Sequence, residues 1–163
     1  MSANIRPKWP KVTKDVIEGF ASSCLTPFFD DASAFAEFHR ELWELCCSDD
    51  RFVAICAPRG HAKSTIITIV YTLAVLLFRE RQYVVIVADT ESQAALFVGQ
   101  IKQILCESKE IHNLFGLKLD DKGVVFKKET ETDIILQFTD MKQFRVVAKG
   151  AEQRLRGMLW DGQ

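Results

Sequence analysis

The chain has 163 residues, of which 48% are hydrophobic and 26% charged, and its formal net charge is -1. This composition is typical of a folded globular domain and excludes a disordered or low-complexity chain. The near-zero charge also excludes a global basic field, so any contact with nucleic acid would depend on a local basic patch or on other parts of an assembly.

Several features predict a cytoplasmic protein with no membrane segment. The N-terminal stretch "MSANIRPKWPK" is not followed by the apolar core of a secretory signal. The apolar stretch "IITIVYTLAVLLF" is shorter than the roughly 20 residues that a membrane span needs. The cysteines form no CxxC pair, and an odd number with scattered spacing favours reduced thiols packed as small apolar residues: Cys24, Cys46, Cys47, Cys56 and Cys106.

Residues 1–50 are predicted to form a helical segment that leads into the main domain. Before the amphipathic part of "DASAFAEFHRELWELCC", which begins at Asp31, the residues Asp30, Asp31 and Ser33 are candidate helix caps. After them, apolar residues recur at spacings of three and four, which predicts an amphipathic helix with a buried face made of Phe35, Phe38, Leu42 and Leu45.

Residues 51–163 are predicted to form an α/β domain. The apolar run "RFVAICA" is typical of a strand covered on both faces in a parallel sheet, and "STIITIVYTLAVLLFRE" is typical of a buried helix. The strand "QYVVIVADT" and the helix "ESQAALFVGQIKQILCES" repeat the pattern. Two successive strand-helix units predict right-handed crossovers and a three-layer sheet. From Leu117 onward, "GVVFKK", "DIILQFTD" and "KQFRVVAKG" predict short antiparallel or edge strands.

The stretch "CAPRGHAKST", at positions 56–65, lies between the first predicted strand and its helix. Compared with the phosphate-loop pattern G-x-x-x-x-G-K-[ST], Lys63 and Ser64 fit, whereas Ala57 and Ala62 occupy the glycine positions. Gly60 keeps one permissive position, and an alanine would be strained wherever φ is positive. The predicted nucleotide-binding residues are Ala57, Pro58, Arg59, Gly60, His61, Ala62, Lys63, Ser64 and Thr65.

Three of these residues have predicted roles in the chemistry. Lys63 would contact the β- and γ-phosphates, and the Ser64 hydroxyl would be a Mg²⁺ ligand beside water and phosphate oxygens. Arg59 would stabilise charge on the γ-phosphate as an arginine finger supplied by the same chain. The alternative is a polar connection between strand and helix without phosphate binding.

Three stretches in this order, "PRGHAKST", "YVVIVADTESQA" and "KGAEQRLRG", resemble the N-terminal ATPase domain of the large terminase subunits of tailed bacteriophages. The resemblance runs from about His39 to the last residue. It implies a three-layer, RecA-like P-loop NTPase with a largely parallel sheet, using ATP and Mg²⁺. In that family an arginine in the phosphate loop replaces part of the glycine pattern, as Arg59 does here.

The resemblance also implies a function. Such ATPases use ATP hydrolysis to move double-stranded DNA into a preformed capsid in the infected bacterial cell, as a ring on the portal protein and together with the small terminase subunit. The catalytic residues would be Arg59, Lys63 and Arg156, with Arg154 as the second choice for a finger acting on a neighbouring subunit. The alternative for both arginines is a solvated basic turn or a DNA contact. His39 and Arg40 are weaker candidates for an adenine contact, and the alternative for both is a helix with a polar face. Asp89 is a candidate for contact with a water near the nucleotide or for a helix cap.

The sequence departs from the family pattern after this point. No apolar run ends in paired acidic residues, so we expect an ATPase domain that is incomplete at its C-terminal side, without the Walker B motif, coupling segment and nuclease domain. Hydrolysis by this chain alone is then uncertain and is expected to be very slow. Two alternatives stay open: a fragment of a helicase-like translocase, and a non-catalytic interaction module or remnant of the packaging machinery.

Overall fold

The computed structural model describes residues 9–29, 35–58, 60 and 62–153. The α-helices in this part of the chain are α1 (Lys14–Phe20), α2 (Glu37–Cys46), α3 (Thr72–Leu77), α4 (Glu91–Glu107) and α5 (Lys109–Phe115). Two π-helical segments (Ala21–Leu25 and Thr65–Tyr71) and a 3₁₀ turn (Thr26–Phe28) complete the helical structure described.

The described strands are β1 (Tyr83–Ala88), β2 (Leu119–Asp120), β3 (Gly123–Val124), β4 (Phe126–Glu129), β5 (Asp133–Gln137) and β6 (Gln143–Gly150). Four of them form one sheet in the order β1-β6-β5-β4, and β2 pairs with β3 separately. Only the β1-β6 pair of the larger sheet is parallel, in a register that runs from Tyr83 opposite Arg145 to Ala88 opposite Gly150. The α/β class is therefore confirmed, but the expectation of a largely parallel sheet is wrong, because β4, β5 and β6 form an antiparallel meander.

Helix α4 agrees closely with its predicted pattern. It packs against β1 and β6, and its buried residues are Ala94, Val98, Ile101, Ile104 and Leu105. Thr90 is the N-cap, and its side chain accepts a hydrogen bond from the Gln93 amide at 3.2 Å. The suggestion that Asp89 caps this helix is therefore wrong by one residue.

Helix α2 is also present, although its buried face differs from the prediction. Leu42 and Trp43 are buried, whereas Leu45 is 47% exposed. The reason is the position of the neighbouring π-helix Thr65–Tyr71, which packs on the Leu42 and Trp43 side of α2. The candidate caps Asp30, Asp31 and Ser33 lie outside the described residues.

The predicted strand "RFVAICA" is not formed. Residues 51–57 have no regular secondary structure and are mostly exposed, with Phe52 84% exposed. An apolar run becomes a strand only if a neighbour accepts and donates its backbone hydrogen bonds. Within the described residues the sheet ends at β1, which pairs with β6 alone, and no strand pairs with residues 51–57.

A charge cluster centred on the buried Asp133 joins the strands of the meander. The Asp133 carboxylate accepts hydrogen bonds from Arg145 at 2.7 and 2.9 Å and from Lys128. Burial alone would raise the pKa of Asp133, but the bonds from Arg145 and Lys128 outweigh it and hold that pKa below its ordinary value. The Arg145 guanidinium also lies 5.5 Å from the centre of the Tyr83 ring on β1. The cluster thus connects β1, β4, β5 and β6.

The cysteines are only partly the core residues that the sequence suggested. All five are free thiols; Cys24 is buried, Cys46 and Cys47 are half-buried, and Cys56 and Cys106 are exposed. Burial raises the pKa of Cys47 to about 11, so this thiol stays protonated at neutral pH. None of the helices in the described ranges has the length and apolar character needed to cross a membrane.

Candidate phosphate-binding loop

Two residues of the loop have left-handed backbone. Gly60 has φ 83° and Ala62 has φ 49°, and helical backbone begins at Lys63 and leads into the π-helix. A left-handed residue beside a right-handed one, as at Ala62 and Lys63, turns successive backbone N-H groups toward one side, an arrangement that binds anions in phosphate loops. Ala62 stands where the phosphate-loop pattern has glycine, and it adopts the conformation that glycine would adopt without strain.

The Lys63 side chain turns back onto the start of its own loop. Its Nζ donates hydrogen bonds to the carbonyl oxygens of Ala57 at 2.9 Å and Pro58 at 3.1 Å. These bonds close the loop and hold the ammonium group beside it. Because an ammonium carries three N-H donors, two bonds to carbonyls are compatible with a third to a phosphate oxygen.

Ser64 is exposed, so its hydroxyl is accessible to an ion from solvent, whereas Thr65 is half-buried at the start of the π-helix. A single hydroxyl suits Mg²⁺, which keeps several water ligands and takes others from substrate phosphates. Among the residues described, no group of three or more His, Cys, Asp or Glu is placed to hold a metal ion. The exposure of Ser64 is compatible with its predicted role as a magnesium ligand.

Some of the predicted site residues cannot be compared with the structure. Arg59, His61, Arg154 and Arg156 lie outside the described residues. Within the described ones, the loop brings Ala57 and Pro58 into contact with Lys63, and Gly60 and Ala62 supply the left-handed turns.

Sequence reasoning missed two residues that connect α2 with the helix after the loop. The buried Trp43 indole donates a hydrogen bond from Nε1 to the Ile66 carbonyl at 3.2 Å. At the other end of the π-helix, the Tyr71 hydroxyl donates to the Cys46 carbonyl at 2.8 Å. In the sequence, the feature that could have identified Trp43 is a tryptophan next to the predicted apolar face of α2.

Arg40, a candidate for an adenine contact, is instead engaged with carboxylates. It forms ion pairs with Asp15 at 2.8 Å, with Glu18, and with Glu37 at 3.9 Å. Asp15 and Glu18 belong to α1, so these pairs join α1 to α2. His39 is half-buried on the same helix. The geometry at Arg40 favours a helix with a polar face over an adenine contact.

A cleft lies where the parallel strands β1 and β6 end, apart from the loop in sequence. It has a volume of about 350 Å³ and is lined by Asp89, Thr90, Glu91, Gly150, Glu152 and Gln153. Open α/β sheets bind ligands at this edge. Three carboxylates in the lining repel a polyphosphate, however, and the nearby Lys149 is paired with Glu91 at 3.7 Å. Charge therefore favours the loop around Lys63 over this acidic cleft as the place for a phosphate group.

Comparisons with known proteins add no relative: no family model matches the chain, no curated protein matches it, and no solved structure matches it.

Proposed function

We propose that this chain is the ATP-binding part of a phage DNA-packaging motor, in which residues 57–65 hold the phosphates of ATP with Mg²⁺. The observation that carries the proposal is the left-handed backbone at Ala62, directly before Lys63. An alanine in this conformation costs free energy, and such strain is concentrated at binding and catalytic sites. The resemblance of three ordered sequence stretches to large terminase subunits is the basis for assigning the chain to a DNA-packaging motor.

In this proposal each part of the loop has one task. The backbone N-H groups around Gly60 and Ala62 surround the phosphate oxygens, and Lys63 adds positive charge to the β- and γ-phosphates. Ser64 holds Mg²⁺, and Arg59 contributes charge from within the loop. An ion held at Ser64 would neutralise part of the charge on the phosphates.

At the level of the assembly, the proposed partners are double-stranded DNA, the portal protein, the small terminase subunit and further copies of the chain in a ring, in the cytoplasm of an infected bacterium. The ring would be the setting in which Arg156 or Arg154 reaches a neighbouring subunit's nucleotide. ATP hydrolysis belongs to the complete motor.

Binding of ATP to the folded chain, measured by calorimetry with and without Mg²⁺, tests the proposal. We expect Lys63→Ala to weaken binding by about tenfold to a hundredfold in both conditions, because a hydrogen bond to a charged group contributes about 1.5–3 kcal/mol. Ser64→Ala should weaken binding only when Mg²⁺ is present.

Lys122→Ala is the matched control, because Lys122 is an exposed lysine in the turn between β2 and β3 and its removal should leave affinity unchanged. Circular dichroism would verify that every variant is folded. A folded wild type that binds no ATP, or equal affinity in wild type and Lys63→Ala, would contradict the proposal. The interaction-module hypothesis would then take its place.

A further inference from the structure

Trp43 is connected to the phosphate loop through a single residue. Its fully buried indole donates to the Ile66 carbonyl at 3.2 Å, and the Ile66 amide donates to the Ala62 carbonyl at 2.9 Å. Ala62 is the left-handed residue that precedes Lys63. Two hydrogen bonds on one residue therefore join helix α2 to the strained position of the loop.

The helix geometry at Ile66 relates this connection to the orientation of Lys63. The Ile66 amide bonds four residues back, as in an α-helix, whereas the π-helix Thr65–Tyr71 uses a spacing of five. The change of spacing thus occurs beside Ile66. Moving it along the helix by one residue would change the winding of the turn that joins Lys63 to the π-helix, and with it the orientation of Lys63 relative to α2. A buried donor on the Ile66 carbonyl stabilises one position of that change.

We propose that Trp43 is a positioning residue of the phosphate loop, because its bond to Ile66 fixes the register of the π-helix and hence the direction of Lys63. That the loop binds a phosphate group rests on the function proposed above. The effect of Trp43 on the orientation of Lys63 is a property of the ligand-free protein. Since coupling between two sites is reciprocal, a phosphate group bound at the loop must also affect the environment of the indole.

Two other residues supply matched controls. Tyr71 makes the corresponding bond from the far end of the π-helix to the Cys46 carbonyl, so Tyr71→Phe removes a link between the same two elements at a distance from the loop. The Phe35 ring lies 5.0 Å from the Trp43 ring. Phe35→Leu therefore loosens the packing around the indole without removing its N-H donor.

The first test is amide hydrogen exchange in the ligand-free protein. In Trp43→Phe we expect exchange over residues 62–66 to become about tenfold faster than in wild type, the size expected for loss of one buried hydrogen bond. Tyr71→Phe and Phe35→Leu should leave this stretch close to wild type. Unchanged exchange in Trp43→Phe, or an equal increase in either control, would overturn the inference.

The second test is the affinity for ATP with Mg²⁺. We expect Trp43→Phe to weaken binding about tenfold and Tyr71→Phe to change it less than twofold. Binding of equal strength in wild type and Trp43→Phe would overturn the positioning role and leave the proposed function intact. A wild type that does not bind would contradict the proposed function instead, and the exchange measurement would still decide the role of Trp43.

If Trp43→Phe does not fold, the role of Trp43 can be tested with the wild-type protein alone. The indole N-H resonance of Trp43 should shift when the protein is saturated with ATP and Mg²⁺, or with tripolyphosphate. The indole of Trp9, which packs against Phe78 and Phe115, is the internal control. Shifts of the loop amides without a shift of the Trp43 indole would overturn the inference.

Discussion

At the scale of single residues, the loop depends on the conformation of Ala62. Its φ of 49° lies in the left-handed region, which costs an ordinary L-residue roughly 1–2 kcal/mol. The sequence identified the position through the spacing to Lys63 and Ser64, because the phosphate-loop pattern has glycine there. Whether the backbone follows the pattern when alanine replaces glycine depends on the surrounding hydrogen bonds, such as that from Ile66, which no motif records.

Replacing Ala62 by glycine should therefore not destabilise the protein. We expect Ala62→Gly to leave the free energy of unfolding unchanged or to raise it by up to about 1 kcal/mol, because the relief of left-handed strain offsets the greater entropy of glycine in the unfolded chain. Ala95→Gly, within the right-handed helix α4, should lose about 1 kcal/mol. Urea unfolding of both variants measures the difference, and equal losses would show that Ala62 is unstrained.

The burial of Trp43 could not be predicted from the spacing of apolar residues in α2. Leu42, Trp43 and Leu45 lie on adjoining parts of the helix surface, so periodicity alone permits either Trp43 or Leu45 to be buried beside Leu42. The position of the π-helix decides between them, and that position is a property of the tertiary structure. The sequence thus located the helix but not the residue that connects it to the loop.

At the scale of elements, most predicted helices and strands are present, and one predicted strand is not. The helix over Glu91–Glu107 follows from its own periodicity and its buried face. The apolar run at residues 51–57 was assigned as a strand by the same reasoning, but it remains unpaired and exposed. A helix satisfies its backbone within one segment, whereas a strand needs a partner elsewhere in the chain, and composition does not reveal whether one is available.

The junction of β6 with α4 leads to a prediction at this scale. A Cβ atom at Gly150 would lie 2.9 Å from the backbone nitrogen of Glu91, closer than real contacts of this kind. We expect Gly150→Ala to destabilise the protein by about 1–3 kcal/mol, because backbone must move to make room.

Gly99→Ala is the control for this variant, because a Cβ at Gly99 meets no atom within 4 Å. It lies inside α4 and should gain up to about 1 kcal/mol from helix propensity. Thermal unfolding of the two variants would compare them directly. A Gly150→Ala protein as stable as wild type would mean that β6 and α4 are not held this closely.

At the scale of the whole molecule, the α/β class and the order of most elements could be predicted from the sequence. The antiparallel strands after Leu117 were predicted as well. The parallel pairing of β6 with β1 was not, because the pattern of a strand does not identify the strand beside it. Among the described residues there are two candidate places for a ligand: the loop at Lys63 and the acidic cleft at the ends of β1 and β6. We propose that a phosphate group binds at the first.

Amide chemical-shift mapping of the labelled protein, titrated with ATP and Mg²⁺, distinguishes the two sites. We expect the largest changes on Gly60 to Ser64, with smaller changes along the π-helix and around Trp43. Changes concentrated on Asp89 to Glu91 and Gly150 to Gln153, or no changes at all in a folded protein, would contradict this proposal.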